Sequence, residues 1–297
     1  MPSPVNPIIS VIMSVYDGER YIARSLMSLL VQTYVNFELI LVDDGCNDRT
    51  ADIVKQIEDD RVIFIRQQNM GLTKTLNKAL GVARGRWIAR HDADDFSIFT
   101  RFDKQLQYLY NRPEIGLLGS SCFIQPEPHG IINEIYDYPE HHHEIMAAFP
   151  FFNPFVHGSM MIRRDLLEDN GGYNESYRYV QDYELWSRLL PNTQAANLAS
   201  PLYVRAVHNE TSQKKIDKEP IFSEIRDAYL GESRSLSVPT DSIRPIKSIS
   251  FYPTLTLQNG WNRSLAATLQ QITLGFRKYN MPWFGTRLQS LLYCPWC

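Results

Sequence analysis

The sequence predicts an α/β protein with a doubly wound, mostly parallel sheet, followed by a mixed subdomain and a helical C-terminal tail. The main observation is that short β-branched, apolar runs alternate with helical segments through the first 120 residues. Such alternation is typical of strand–helix–strand units, whose strands are buried on both faces. A second observation is that acidic residues follow three of these runs, at the strand ends where ligands bind in open α/β sheets. With 297 residues and 44% hydrophobic content, the chain can bury the core that such a sheet needs.

The elements of the first half follow in regular order. Four short runs rich in Val and Ile predict parallel strands, at residues 8–15, 37–42, 62–65 and 87–91. Helical periodicity between them predicts helices at residues 19–31, 50–58 and 73–82. Asn47 or Asp48 is suited to cap the second helix, and Gly85 ends the third.

Beyond Gly119 the alternation weakens, which predicts a mixed rather than a parallel arrangement. The predicted strands there span residues 131–136, 159–162 and 202–207. One helix is predicted to begin at residue 139 and another to span residues 182–190. Three consecutive histidines, at 141–143, invite a metal interpretation, but neighbours on a helix point in different directions, which favours a solvated helix start.

Composition excludes several classes of function. A net charge of −3 gives no indication of nucleic-acid binding. No run of eighteen apolar residues is present, so the sequence predicts no membrane span. Four cysteines are too few for a disulfide scaffold, which makes a reducing cytosol the expected location. The terminal Cys294-Pro-Trp-Cys297 is a single pair, and zinc needs four ligands.

An acidic cluster follows the fourth predicted strand, in the order Arg90-His91-Asp92-Ala93-Asp94-Asp95. Three carboxylates in four positions repel one another unless a cation neutralises them, and hard divalent cations prefer such oxygen ligands. The alternative is an acidic surface turn whose residues cap the next helix, a role that suits Asp95. An EF-hand is excluded because the glycine needed midway through its loop is absent. The position beyond a parallel strand favours the metal interpretation.

Five motifs in sequence order resemble the family 2 glycosyltransferases of the GT-A fold, over about residues 7–212. The motifs are Ser10-Val11-Ile12-Met13-Ser14-Val15-Tyr16-Asp17, Leu41-Val42-Asp43-Asp44-Gly45, Asn69-Met70-Gly71-Leu72, Asp92-Ala93-Asp94-Asp95 and Gln181-Asp182-Tyr183-Glu184-Leu185-Trp186. The last departs from the family's usual Glu-Asp, since Gln181 removes one carboxylate. The resemblance implies a Rossmann-like GT-A domain. Its nucleotide-sugar half spans residues 1–120, its acceptor and base half spans 121–219, and a basic extension spans 220–297.

The resemblance also implies an activity. It implies inverting transfer of a sugar from a nucleotide-diphosphate sugar, expected to be UDP-linked, with Mn²⁺ or Mg²⁺ on the pyrophosphate. The acceptor would be a hydroxyl of a glycan or a lipid-linked glycan, in polysaccharide, glycolipid or cell-surface glycan synthesis. Asp182 would be the general base that takes the proton of this hydroxyl.

The roles of further residues follow from the same resemblance. The donor-binding residues would be Val15, Tyr16, Glu19, Asp43, Asp44, Asn69, Gly71, Lys74 and Asp92. The Tyr16 ring would lie against the nucleotide base, and Asp44, with Asp43, would hydrogen-bond the edge of that base. Asp94 would be the direct metal ligand, with Asp92 toward the ribose or the metal's waters and His208 close to the metal. His157 and Trp186 would lie on the acceptor side.

Two other functions deserve comparison. A sugar-nucleotide pyrophosphorylase needs a Gly-rich phosphate loop after the first strand, where this chain has Tyr16-Asp17-Gly18-Glu19-Arg20. A non-catalytic nucleotide-binding or receiver-type domain also places acids at strand ends, but gives no reason for Asp182 and its context. A processive synthase is not indicated, because neither membrane spans nor a Gln-x-x-Arg-Trp motif is present.

The end of the chain has a distinct composition. Residues 242–297 contain six basic residues and no acidic one. The mix of apolar, aromatic and basic residues at 254–277 and 283–293 suits either peripheral attachment to the inner, anionic face of the membrane or docking on the acidic catalytic domain. The polar stretch 208–219, with Lys214 and Lys215, is either a lid over the donor or a solvated loop.

Overall fold

The computed structural model describes residues 6–127, 134–208, 217–232 and 247–250, together with 267, 268, 270 and 271. The strands are β1 (Ile9–Val15), β2 (Phe37–Asp43), β3 (Val62–Arg66), β4 (Trp87–Arg90), β5 (Phe96–Ser97), β6 (Ile115–Glu127), β7 (Glu134–Asp137), β8 (Met161–Arg163), β9 (Gln194–His208) and β10 (Lys247–Ser250). The α-helices are α1 (Ile22–Leu30), α2 (Thr50–Lys55), α3 (Leu72–Val82), α4 (Arg101–Tyr110), α5 (His142–Ala148), α6 (Arg164–Asp169), α7 (Gln181–Leu189) and α8 (Glu219–Glu232). Short 3₁₀ turns occur at His157–Ser159 and Leu190–Asn192.

One sheet joins both halves of the chain, in the order β10-β7-β6-β8-β4-β1-β2-β3. The strands β3, β2, β1 and β4 are parallel, as predicted. β8 runs antiparallel to β4, and β6 runs antiparallel to β8 and therefore in the same direction as β4. β9 runs parallel to β6 with two register shifts and also pairs with the short β5. The predicted boundary at residue 120 therefore falls inside β6, so the two halves share one sheet.

Alternation along the central strands divides the core between the two faces of the sheet. In β1, Val11 and Met13 join the apolar layer under α1, α2 and α4, whereas Ile12 joins the layer under α3 and α7. β2 repeats this pattern, with Leu41 on the first side and Ile40 on the second. Every residue of β2 is buried, as expected for a central strand covered by helices on both faces.

Several elements differ from the sequence prediction. The second helix ends at Lys55 rather than 58, and the last strand begins at Gln194 rather than 202. β6, β5, α4 and α6 were not predicted. The C-terminal extension is not only helical, because its described part contains β10, paired with β7, as well as α8, which packs against α7.

In the described part of the chain no helix has the length and apolarity to cross a bilayer. The predicted lid residues Lys214 and Lys215, the tail segments 254–277 and 283–293, and the terminal Cys294 and Cys297 lie outside the described residues, apart from the four positions near 270.

Candidate active site

The carboxyl ends of β1 and β2 form one braced edge. Side-chain oxygens of each loop accept hydrogen bonds from main-chain N–H groups of the other: Asp17 Oδ1 from Asn47 (2.8 Å), Glu19 Oε2 from Arg49 (3.0 Å) and Asp48 Oδ2 from Glu19 (2.9 Å). Asp17 has φ of 47°, a left-handed conformation that turns the chain sharply after β1. The edge predicted for nucleoside binding is therefore pre-shaped.

Asp17, Cys46 and Asp48 place ligand-type atoms within 4.8 Å of one another, the one such group of three in the described residues. Burial raises the pKa of the Cys46 thiol to about 12, with Asp43 adding to the effect. The thiol is therefore protonated at neutral pH in this structure, where its sulfur accepts from the Asp17 N–H (3.2 Å) and lies 3.6 Å from the Val15 carbonyl. The carboxylates are already occupied by the N–H groups that brace the loops, so this group is structural.

Asp43 and Asp44 follow β2 and shape the adjoining loops. Asp43 is fully buried. Its Oδ1 accepts from the N–H groups of Gly45 (3.1 Å) and Cys46 (2.7 Å), and its Oδ2 accepts from Nε of Arg66 (2.7 Å). Because both oxygens are committed, Asp43 acts as a loop-shaping residue in this structure, and its contact with a base stays a prediction.

Asp44 is only 2% exposed and anchors the loop after β3. Its Oδ1 accepts from the Met70 N–H (2.8 Å) and from Gln67 Nε2 (2.7 Å), and its Oδ2 accepts from the Gly71 N–H (2.8 Å). This arrangement brings the predicted donor-binding residues of that loop to the same edge as β1. Direct contact of Asp44 with a base edge requires one of these hydrogen bonds to be exchanged, so that role also remains a prediction.

The other predicted donor-binding residues differ in their exposure to solvent. Val15 is buried, at 2% exposure, whereas Tyr16 is 53% exposed, which leaves its ring available for stacking. Glu19, Asn69 and Lys74 are exposed. Gly71 has φ of 87°, a conformation that L side chains rarely adopt, and its carbonyl begins α3 by accepting from Thr75.

The acidic cluster after β4 lies over a buried arginine. Arg90, 1% exposed at its side chain, donates from Nη2 to Asp92 Oδ1 (2.6 Å) and from Nη1 to the His91 carbonyl. Burial alone would raise the pKa of Asp92, but Arg90, together with smaller effects of His157, His91 and Arg205, holds that pKa below its usual value. Asp92 is thus an oriented carboxylate, with its second oxygen unpaired among the described residues.

His91, between these two residues, is fully buried and contacts Ser25 Oγ and Ser97 Oγ through its two ring nitrogens (3.1 and 3.2 Å). Burial, together with Arg101, holds the pKa of His91 well below its usual value. The ring is therefore neutral and structural.

Asp94 and His208, which the family resemblance places near a metal, contact each other at the end of β9. Nε2 of His208 lies 2.7 Å from Asp94 Oδ2, and the ring packs at 5.0 Å from the ring of Tyr21. Both side chains are partly exposed, at 39% for Asp94 and 23% for His208. A carboxylate oxygen and an imidazole nitrogen that converge at an accessible edge form a donor set that suits Mn²⁺, so the residues present fit a divalent cation.

Asp95 does not cap the following helix. It is 4% exposed, and its Oδ1 accepts from the N–H of Ala206 in β9 (2.7 Å). α4 begins only at Arg101, after β5. Asp95 therefore joins the acidic loop to β9, whereas the two preceding aspartates face outward.

Asp182, the candidate base, lies in the first turn of α7. It is not the N-cap of this helix, because that position belongs to Val180, at φ 53° and ψ 23°. A β-branched residue in this left-handed conformation is strained, and such strain concentrates at functional sites. Asp182 Oδ2 accepts from Asn153 Nδ2 (2.7 Å), and its Oδ1 has no hydrogen-bond partner within the described ranges.

His157 lies near Asp182, but Trp186 does not reach the surface. Nε2 of His157 is 2.8 Å from the hydroxyl of Tyr173, and burial, followed by Arg90, lowers the pKa of His157 to about 4. Trp186 is fully buried, with its ring against Phe155 and His157. The expectation that Trp186 contacts an acceptor is therefore replaced by a packing role, because its apolar ring completes the core behind Asp182.

Sequence reasoning missed four residues of the site: Arg90, Asn153, Tyr173 and Tyr203. The Tyr203 hydroxyl accepts from the Asp92 N–H (3.0 Å). Arg90 carried one signal, since a charge at the end of an otherwise apolar run needs a partner when it is buried. The other three residues make their contacts with positions distant in sequence, so no local pattern marked them.

The histidines at 141–143 form a helix start, as predicted: His141 and Glu144 make a capping box, and the rings of His141 and His143 stack in solvent.

Comparison with known proteins gives a consistent result. The model of the family "Glycosyl transferase family 2" matches residues 10–171. A Haemophilus influenzae protein described as an uncharacterized glycosyltransferase is 32% identical over 237 residues, covering 72% of this chain and 73% of the relative. The O-antigen biosynthesis glycosyltransferase WbnJ of Escherichia coli is 33% identical over 215 residues, covering 70% of this chain and 82% of WbnJ.

Solved structures share the fold. Residues 1–349 of TarS from S. aureus, in complex with UDP-GlcNAc, match with a TM-score of 0.58 at 18% identity, covering 89% of this chain and 81% of the other. The mannosyltransferase PcManGT from Pyrobaculum calidifontis, in complex with GDP-Man and Mn²⁺, matches with a TM-score of 0.56 at 18% identity, covering 98% and 87%. At this identity the likeness is one of fold.

Proposed function

This chain belongs to glycosyltransferase family 2, and from that membership we propose that it transfers a sugar from a UDP-linked donor to a glycan or lipid-linked hydroxyl with inversion at the anomeric carbon. The supporting observation is the arrangement of two separate acidic groups. One, at Asp92 and Asp94, follows β4. The other, Asp182, begins α7 and offers one oxygen without a partner in the described structure.

In this proposal the braced edge holds the nucleoside, with Tyr16 stacked on the base. Asp182 Oδ1 accepts the proton of the acceptor hydroxyl, whose oxygen forms the new bond to the anomeric carbon as the bond to the nucleoside diphosphate breaks. General-base catalysis of this kind contributes on the order of 10²–10⁴ in rate. A single displacement of this type inverts the anomeric centre.

Asp94 and His208 would hold the divalent cation, with Asp92 beside them. A bound Mn²⁺ or Mg²⁺ supplies Lewis-acid stabilisation of the charge on the leaving diphosphate. The proximity of Asp94 and His208 supports this assignment: their side chains are in direct contact at 2.7 Å, and a cation bound by both would replace this hydrogen bond. The complex of PcManGT with GDP-Man and Mn²⁺ is consistent with it.

The base is tested by Asp182→Asn, which keeps the shape of the side chain but removes its basicity. We expect turnover to fall by about 10²-fold or more, while the melting-temperature increase that the donor produces is retained. Asp169→Asn, the same change at an exposed carboxylate in α6, is the matched control. Turnover of Asp182→Asn equal to that of the control would refute the assignment.

The donor and the metal are tested together. Melting temperatures with Mn²⁺ and UDP-, GDP- or dTDP-linked sugars should rise most with a UDP-sugar, because a ligand stabilises the state that it binds. His208→Ala should weaken Mn²⁺ binding by about tenfold or more in a calorimetric titration, whereas His143→Ala, at an exposed histidine, should not. A larger increase in melting temperature with a GDP-sugar would show that the donor is GDP-linked rather than UDP-linked. Equal Mn²⁺ affinity in the two variants would remove His208 from the site.

A further inference from the structure

Asn153 lies in the segment between α5 and the 3₁₀ turn at His157–Ser159, and this segment is fixed to α7 on both sides of the residue. Before it, the Tyr183 hydroxyl donates to the Phe149 carbonyl (2.6 Å), and the two rings stack at 4.3 Å. After it, the ring of Phe155 packs against Trp186 at 5.5 Å. Tyr183 and Trp186 flank one turn of the helix that carries Asp182.

The orientation of the Asn153 amide is determined by its two hydrogen bonds. Oδ1 accepts from the Phe155 N–H (3.2 Å), so Nδ2 must point the other way, toward Asp182 Oδ2 at 2.7 Å. The following residue is also held, because Asn197 Nδ2 donates to the Pro154 carbonyl (3.0 Å). The amide is thus fixed before any substrate arrives.

We propose that Asn153 is the positioning residue of the candidate base. It immobilises one oxygen of the Asp182 carboxylate so that the other faces the acceptor hydroxyl. This inference rests on the proposed role of Asp182. Its physical reason is that an aspartate at the start of a helix can rotate about χ1 and χ2, and a hydrogen bond to one oxygen selects a single orientation.

The amide also suits the charge of the carboxylate. Nδ2 can only donate, so it stabilises the ionised form that a general base needs, whereas a carboxylate at the same place would repel it. The charge of Asp182 raises the pKa values of three nearby groups, His157, Tyr173 and Tyr138. The charge of Arg90 lowers the pKa values of the first two. The His157 ring is neutral near pH 7, and the tyrosines ionise only at alkaline pH. None of these groups therefore produces a fall in rate on the acidic side of the pH–rate profile, its acidic limb, between pH 5 and 8.

The experiment uses the full chain with Mn²⁺ and the nucleotide sugar selected by the melting screen, and measures released nucleoside diphosphate against pH. Asn153→Asp places two carboxylates in hydrogen-bond contact, so the acidic limb should move to higher pH by about one unit or more. Asn153→Ala should lower kcat by about 10- to 100-fold with the donor KM within about threefold, because misplacement of a reacting group costs rate rather than donor binding. Asn111→Asp, the same change at an exposed site at the opposite edge of the sheet, should leave the profile unchanged.

The outcomes separate this inference from the function on which it rests. If Asp182→Asn retains turnover, both are wrong. If Asp182→Asn is inactive but the Asn153→Asp profile coincides with that of the unsubstituted protein, only the role of Asn153 is overturned. Stability provides a readout without substrate: relative to the unsubstituted protein, Asn153→Asp should lose stability as pH rises from 4 to 8, since the paired acids must share a proton. No such difference would show that the two side chains are not in contact, and would overturn the inference.

Discussion

Replacement of Asp44 by Asn should destabilise the protein strongly, although the two side chains have the same shape. Asp44 is 2% exposed, and its two oxygens accept three hydrogen bonds, from Met70, Gly71 and Gln67. An amide retains only one oxygen. If this oxygen takes the place of Oδ1, the NH₂ group faces the Gly71 N–H, donor against donor.

The magnitude follows from this geometry. The variant loses one charge-assisted hydrogen bond, of about 1.5–3 kcal/mol, and leaves a buried N–H unpaired, at about 1–3 kcal/mol. The two effects overlap, so we expect a loss of about 3 kcal/mol in the free energy of unfolding. At about 2–4 °C per kcal/mol for large domains, the melting temperature should fall by about 6–12 °C.

The assay is unfolding in urea, with Asp52→Asn as the control. Asp52 is an exposed carboxylate in the first turn of α2, and its loss should cost within about 0.5 kcal/mol. Donor affinity should fall as well, because Asp44 holds the loop that carries Asn69 and Gly71. A difference below about 1 kcal/mol between the unfolding free energies of the two variants would refute the reasoning. It would mean that the negative charge of the buried Asp44 carboxylate contributes little to stability.

Two further predictions concern the stability of the folded protein. Glu38→Gln should lower the free energy of unfolding by about 2 kcal/mol. Glu38 is fully buried and accepts hydrogen bonds from Ser10 Oγ and from the main chain and guanidinium of half-exposed Arg84. Urea unfolding measures this loss, and kcat should not change because the pair lies at the amino edge of the sheet. His157→Gln should flatten the pH dependence of stability. The folded-state pKa of His157 is about 4, against 6.5 for the free side chain, so its contribution is complete above pH 6.5 and is lost as pH falls toward 4. Between pH 5.5 and 4.5 the slope of the unfolding free energy should be smaller in the variant by up to about 1.4 kcal/mol per pH unit, and identical slopes would show that His157 titrates normally.

The sequence predicted the parallel half of the fold closely, because its strands are continuous apolar runs. It missed β6, where Gly116, Gly119, Ser120 and Ser121 interrupt the apolar pattern although the strand is buried. It missed α4 because two of its buried positions are Arg101 and Gln105, which hide the apolar face that periodicity reveals. Polar residues buried by tertiary hydrogen bonds defeat pattern-based prediction in both elements.

The site was predictable to a similar degree. The ends of parallel strands meet at one edge, so topology accounts for the positions of Asp17, Asp44 and Asp92 after the neighbouring strands β1, β2 and β4. The contact between Asp94 and His208 was anticipated only through the family resemblance. Roles that depend on burial or on distant partners were not predictable, as shown by the packing role of Trp186 and by the amide of Asn153.

The braced edge at β1 and β2 has a consequence for how this protein tolerates mutation. At Asn47, Arg49 and Met70 the donated groups are main-chain N–H groups, which every residue except proline supplies. Their acceptors are side-chain oxygens of Asp17, Glu19 and Asp44, which apolar and basic residues cannot supply. A saturation library should therefore accept most substitutions at the three donor positions except proline and reject apolar and basic ones at the three acceptors. Donor specificity can then change through exposed neighbours such as Tyr16 while the framework beneath stays constant.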